Sequence, residues 1–256
     1  MPRCVVVTGA SSGLGAGLAR SYATPGRLLG LVGRNAARLE AVAEACREAG
    51  ATAVTGVLDV ADGTAVQAWL GGFDAVHAVD LVVANAGISA GTRPNGELEG
   101  IAAADALIRT NLLGVVHTVE ALLPGMLARK AGHVAVVASV AGYRGLPDSP
   151  AYCAGKAGVR IYGESLRAAL APRGIAVSVI LPGFFVSPMS RRFLGSKPFL
   201  LDLDTAVTRT RAGLDRRAPR IVFPRRLGLL MQAADLIPAA LGDYILRAMP
   251  FRIRPE

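Results

Sequence analysis

Cys4-Val5-Val6-Val7-Thr8 runs directly into Gly9-Ala10-Ser11-Ser12-Gly13-Leu14-Gly15, and the reading of these residues decides the fold. The first five form a short β-branched run, the glycines break it, and residues 16–23 continue with a helical pattern. Strand, glycine turn and helix in that order suit a dinucleotide pyrophosphate. Glycines permit the tight turn and close backbone approach, while the helix N-terminus offers unpaired N–H groups and a favourable dipole. A glycine-rich turn without a ligand is the plainer alternative.

Working outward, the same alternation recurs. A second strand, residues 28–32, ends at Gly33-Arg34-Asn35. A cofactor with a free adenosine ribose would favour a carboxylate at this strand end. Arg34 instead offers charge-assisted bonds to a 2′-phosphate, with Arg38 one helical turn further on, so NADP(H) is expected over NAD(H). An amphipathic helix at 36–49 closes at Gly50, and a third strand at 53–58 ends at Asp59-Val60. Asp59 lies where it could meet an adenine amino group or cap the next turn. A weakly patterned helix at 63–78 carries Trp69 and Phe73 as core anchors, and a fourth strand at 81–83 leads into Asn85-Ala86-Gly87. That triplet lets backbone approach a ligand, with Asn85 expected to stiffen the turn through its own local backbone.

Residues 102–129 read as one long helical region with Asn111 inside an apolar stretch. A buried asparagine must be hydrogen-bonded, to backbone, to water or to both. A fifth strand at 133–139 places Ser139 at its carboxyl end, where open α/β sheets bind ligands. Ser149-Pro150 reads as an N-cap and first-turn proline for a helix at 152–170, on which Tyr152 and Lys156 stand four residues apart and share a face. A sixth strand at 175–181 closes at Pro182-Gly183. Six strand–helix alternations without a linker predict an α/β fold of one domain, 1–256: a doubly wound, Rossmann-like parallel sheet with helices on both faces.

The last quarter breaks the rhythm. Residues 184–202 mix Phe184, Phe185, Met189, Phe193 and Phe199 with arginines and read as a mobile apolar substrate flap. A helix at 205–214 and a final strand at 220–224 follow. Apolar segments at 227–234 and 236–249, broken by Asp235, Pro238 and Asp243, form a helical extension over 225–250. They could close over the site, pack on a second subunit, or lie on a membrane with Arg225, Arg226, Arg247, Arg252 and Arg254 facing lipid phosphates.

Composition agrees with one globular unit. The 256 residues are 52% hydrophobic, enough for a substantial core. Net charge is +9, of which +7 falls from residue 191 onward. Without an aromatic-rich reading surface or a recognisable module, that charge does not predict a nucleic-acid partner. Three cysteines without metal spacing and three histidines argue against a metal site, and a reducing, cytoplasmic location is the simple assumption, with membrane association left open by the C-terminal segment. The N-terminus lacks a signal-peptide pattern.

Taken together, Thr8-Gly9-x-x-x-Gly13-x-Gly15, Asp59, Asn85-Ala86-Gly87, Asn111, Ser139, Tyr152-x-x-x-Lys156 and Pro182-Gly183 resemble the classical short-chain dehydrogenase/reductase family, over about residues 3–190. Ser187 departs from it by standing where the family usually carries threonine, although the hydroxyl is retained. The resemblance implies a catalytic group of Asn111, Ser139, Tyr152 and Lys156. Tyr152 would be the general acid/base, its pKa lowered by Lys156 with help from the oxidised nicotinamide's charge, with Ser139 donating to the substrate oxygen and Asn111 holding a water. It also implies an NADP(H) site built from Thr8, Gly9, Ser11, Ser12, Gly13, Leu14, Gly15, Gly33, Arg34, Arg38, Asp59, Val60, Asn85, Ala86, Gly87, Tyr152, Lys156, Pro182, Gly183, Phe185 and Ser187. The expected activity is reduction of a hydrophobic ketone or aldehyde, or its reverse, in a homo-oligomer formed through the helices at 102–129 and 152–170. A reductase of C=N or C=C bonds and a cofactor-binding scaffold without turnover are the competing readings.

Overall fold

Seven strands pair side by side in the order β3-β2-β1-β4-β5-β6-β7: β1 Cys4–Thr8, β2 Leu28–Gly33, β3 Thr52–Val57, β4 Leu81–Ala84, β5 Gly132–Val137, β6 Ile175–Pro182 and β7 Arg220–Phe223. This computed structural model describes residues 2–91, 98–194 and 196–247. Every pairing is parallel, from Cys4 opposite Leu28 at one side to Pro182 opposite Phe223 at the other. Central strands such as β1, β4 and β5 are buried along their whole length, which is why they read as continuous apolar runs rather than alternating ones.

One face is covered by α1 (Gly13–Tyr22), α2 (Ala36–Glu48) and α8 (Leu203–Asp215), packed through Leu14, Leu18, Leu39, Val42 and Leu214. The other carries α3 (Gly63–His77), α5 (Gly114–Arg129) and α6 (Pro150–Leu170), packed through Leu70, Phe73, Val119, Leu122 and Val159. A buried carboxylate joins two of these helices: Asp74 accepts from Arg129 at 2.7 Å and from the Val79 amide at 2.8 Å. The fold expected from the sequence is thus the fold observed.

Several local expectations change. The long helix over 102–129 is three pieces, α4 (Ile101–Ile108), a π-helical turn (Arg109–Leu113) and α5. This run of 29 residues is long and apolar enough to cross a membrane by length and composition. Here its inner side, Leu107, Val115, Leu122 and Met126, is buried in the core. Strand β5 stops at Val137, so Ser139 lies beyond it and opens a 3-10 turn at Val140–Gly142. The 184–202 segment carries local structure among its described residues. Phe185 bridges Leu201 in parallel, Ser187 and Ser190 form a capping box on α7 (Pro188–Arg191), and the Phe184 and Phe193 rings meet at 4.9 Å.

The C-terminal extension forms α9 (Arg225–Asp235) and α10 (Ala239–Arg247). Leu227 faces inward while Leu229, Leu230, Leu236 and Tyr244 are exposed. The side chain of Arg247, and Met249, Arg252 and Arg254 entirely, lie outside the described residues.

Candidate active site

Strand order reverses between β1 and β4, and at such a switch point the diverging loops leave a crevice beyond the carboxyl ends of the strands. Two adjoining cavities occupy that crevice. One, of about 440 Å³, is walled by Gly9, Ser11, Ser12, Gly13, Gly33, Arg34, Arg38, Asp59, Val60 and Ala86. The other, of about 210 Å³, is walled by Ser139, Tyr152, Lys156, Pro182, Gly183 and a set of apolar side chains from 184–198 and α9. Leu14, Asn85, Gly87, Phe185, Ser187 and Met189 line both. Thr8, Gly15 and Asn111 line neither and act from behind.

Thr8 is buried beneath the first turn. Its hydroxyl accepts from the Asn85 and Ala86 amides at 3.1 and 3.2 Å, and the Asn85 side chain donates to the Thr8 carbonyl at 2.9 Å. Asn85 therefore locks its turn to β1 rather than to its own local backbone, as the sequence alone suggested. Gly13 has φ +53, and a Cβ there would meet only the Ser187 side chain, 3.8 Å across the cavity. Ser12 leaves the first turn of α1 without a side-chain cap. A glycine cradle, an uncapped helix N-terminus and a rim of Arg34 and Arg38 suit a phosphorylated dinucleotide in both shape and charge.

Arg34 is 3.3 Å from Asp59, both well exposed, and Asp59 also accepts from the Ala61 amide at 3.0 Å. The turn-capping role foreseen for Asp59 is thus realised. Arg34 carries a partner that a 2′-phosphate would have to replace.

Asn111 is fully buried on the π-helical turn. Its side chain accepts from the Ile88 amide at 2.7 Å and donates to the Ile88 carbonyl at 2.9 Å, fixing the loop after Gly87. Gly87 is the point of closest approach, since a Cβ there would come 3.1 Å from Asn111 Oδ1 and 3.4 Å from Lys156 Nζ.

Lys156 is buried and donates to the Val137 carbonyl at 2.8 Å, with Nζ 6.0 Å from the Tyr152 ring centre. Burial pulls its pKa down to about 8. The Tyr152 hydroxyl moves the other way, up to about 12, because burial raises it more than the nearby Ser139 hydroxyl lowers it. Among the protein's own groups desolvation governs both pKa values, and Lys156 does not figure among the causes at Tyr152. Ser139 accepts from the Ala141 amide at 3.1 Å and donates to the Pro182 carbonyl at 3.4 Å. Ser187 accepts from the Ser190 amide at 3.0 Å, and a hydroxyl that accepts retains its hydrogen for donation.

The start of α6 differs from expectation as well. Pro150 is at its first position, but Ser149 makes no side-chain cap and donates instead to the Ala90 carbonyl at 3.3 Å. Glu99 takes over, accepting from the Ala151 amide at 3.0 Å, and its burial raises its pKa. A cap supplied from 52 residues upstream carries no local sequence signal. Tyr143, Gln232 and Asp243, which tie the Ser139 loop to α9 and α10, were missed for the same reason.

A parallel sheet with a phosphate-shaped cradle opening onto a buried Ser139 and Lys156 and a half-buried Tyr152 defines a dinucleotide-linked oxidoreductase. The family model described as short chain dehydrogenase matches residues 3–196. An uncharacterized oxidoreductase of Myxococcus xanthus is 36% identical over 252 residues, covering 96% of this chain and 97% of that protein. A metagenomic short-chain oxidoreductase solved in complex with NADP is 33% identical, with a TM-score of 0.66, over 71% of this chain and 82% of the other. A short-chain dehydrogenase from Sphingobium yanoikuyae in complex with NADPH, 24% identical, shares the fold with a TM-score of 0.77 over 96% of each chain. The chain belongs to the short-chain dehydrogenase family and is an enzyme of that oxidoreductase class.

Proposed function

We propose that the chain is an NADP(H)-dependent oxidoreductase that reduces a hydrophobic ketone or aldehyde to its alcohol, or runs the reverse reaction. The observation that carries this reading is the placing of Tyr152, Ser139 and Lys156 on the wall of an apolar cavity that shares six residues with the polar one. Solved relatives holding NADP or NADPH support the cofactor, as do Arg34 and Arg38 at the rim of the cradle. When bound, that cofactor supplies a hydride for a carbonyl carbon.

The chain's own residues do the rest. Tyr152, on the cavity wall beside Ser139, gives its phenolic proton to the carbonyl oxygen. Ser139 turns its hydroxyl from the Pro182 carbonyl to the same oxygen, where negative charge grows as the carbonyl is reduced. Lys156, still mainly cationic at neutral pH, steadies the tyrosinate that remains and binds ribose hydroxyls. Asn111 holds the Ile88 loop against this group and positions water for proton return. Apolar groups from the 184–198 segment and α9 exclude solvent.

The test is oxidation of NADPH by the purified chain against a panel of apolar ketones and aldehydes, with imines and enones as the competing substrates. Turnover confined to the imines or enones would overturn the carbonyl assignment. Binding of NADPH without any turnover would favour the scaffold reading.

Exposed Ile101 on α4 and Ile161 on α6 favour assembly of like subunits through these helices, which light scattering would measure. The buried free thiols of Cys4, Cys46 and Cys153 support a reducing, cytoplasmic setting, and the exposed leucines of α9 support peripheral contact with a bilayer.

A further inference from the structure

Ser139 opens a loop, residues 139–149, that lies directly on the catalytic helix: a Cβ on Gly142 would come 2.8 Å from the Lys156 carbonyl. One side of this loop is held by α6 itself. Arg160 donates to the Gly142 carbonyl at 3.1 Å, and its guanidinium stands 5.2 Å from the centre of the Tyr143 ring. The other side is held by the C-terminal extension. Gln232 of α9 donates to the Tyr143 hydroxyl at 2.7 Å, and Asp243 of α10 pairs with Arg144 at 3.3 Å. Arg144 is largely buried in this contact although Asp243 is exposed. Two successive loop residues are thus gripped by two successive helices. One of those helices, α9, also walls the substrate cavity with Leu227 and Met231.

We propose that Gln232 and Asp243 are positioning residues, through which the seating of α9 over the substrate cavity, with α10 following it, sets the position of the Ser139 turn. This deepens the carbonyl-reductase reading and, as far as turnover is concerned, rests on it. The α6 contacts come from the same rigid helix as Tyr152 and Lys156, so they fix the loop whether or not the cavity is covered. The Tyr143 and Arg144 contacts depend on the cover. An apolar substrate packed against Leu227 and Met231 favours the seated cover, and the seated cover holds Ser139 where a carbonyl oxygen meets it. Small displacements of a hydrogen-bond donor cost rate steeply, so the coupling converts occupancy of the apolar cavity into a competent hydroxyl.

The test is amide hydrogen exchange on the full, ligand-free chain, followed by kinetics. Gln232→Leu is expected to speed exchange across 140–146 by about three- to tenfold, as loss of one hydrogen bond's net contribution would. Asp243→Arg is expected to speed it about two- to fivefold, in line with a partly exposed ion pair, and Arg144→Asp in the same chain should restore it. Exchange in β5 and in the body of α6 should stay at the wild-type level, which reports an intact fold. In turnover, both single variants should lower kcat while leaving KM for NADPH unchanged, and the charge swap should recover kcat. Unchanged exchange across 140–146 in both variants overturns the proposal, and so does a rise confined to 225–247, in which the helices loosen without the loop following. Exchange is read without substrate or cofactor, so a chain that reduces no carbonyl would sink the proposed function while leaving this result standing.

Discussion

The two cavities are built in opposite ways. The polar one is made mainly of strand ends taken in chain order, residues 9–14, 33–38, 58–60 and 85–88, with residues 185–189 closing one side. The apolar one gathers residues from 137–156, 182–198 and α9, and its walls are side chains held together only by the tertiary fold. A charged, rigid ligand demands donors in a fixed geometry that few chain conformations supply. An apolar ligand demands volume, which many combinations of side chains fill equally well. The first cavity therefore announces its ligand class, and the second leaves the choice among hydrophobic carbonyls to experiment.

That contrast can be broken most sharply at the polar wall of the apolar cavity, where Tyr152 and Lys156 stand. Tyr152→Phe is expected to lower turnover by about 10²–10⁴-fold while NADPH affinity stays within about twofold, measured by single-turnover kinetics and fluorescence titration. Undiminished turnover would mean that the chemistry does not occur at this wall. On the polar side, Arg34→Ala should weaken NADPH by about 10- to 100-fold and NADH by less than about threefold, since only the former loses a charge-assisted bond. Equal losses would show that Arg34 serves Asp59 rather than a phosphate.

Lys156 tests the cost of maintaining the wall. Its pKa is about 8 in the folded protein against 10.5 for the ordinary side chain, so between those values the unfolded chain holds more protons and stability rises with pH. Below about pH 8 both forms are charged, and the penalty of burying the ammonium is present in full. Lys156→Met should thus stabilise the chain at pH 7 by about 2 kcal/mol and flatten the rise toward pH 10, at the expense of turnover. Urea denaturation at both pH values measures it, and a destabilised variant at pH 7 would contradict the burial cost. The smallest effect falls on the apolar side. Phe193→Ala should raise KM for an apolar ketone about tenfold through lost burial, with NADPH affinity unchanged. A matching loss of NADPH affinity would show that the two cavities are not separable.

Sequence legibility follows the same division. The β1 turn, the Arg34 strand end, Asn85-Ala86-Gly87 and the Tyr152/Lys156 face all depend on residues within a few positions of one another, and all fall where local rules place them. What escaped is tertiary. The Ser149 cap looked complete by its neighbours, yet the fold turned that hydroxyl to Ala90 and brought Glu99 to α6 in its place. Asp59 carried two readings because its neighbours allow both, and the Arg34 contact spans 25 positions. The depressed Lys156 and elevated Tyr152 could not be anticipated, because a spacing of four residues conveys proximity but not desolvation.

The π-helical turn at Arg109–Leu113 has one more implication, for how the chain tolerates change in length. Such a turn amounts to one surplus residue inserted in an α-helix. Deleting any single residue there should let the rod straighten and rotate its N-terminal half by about 100° against the rest. Asn111 would swing off the Ile88 backbone while the fold survived. A stable but inactive deletion variant would then mark that extra residue as an acquired component of the enzyme.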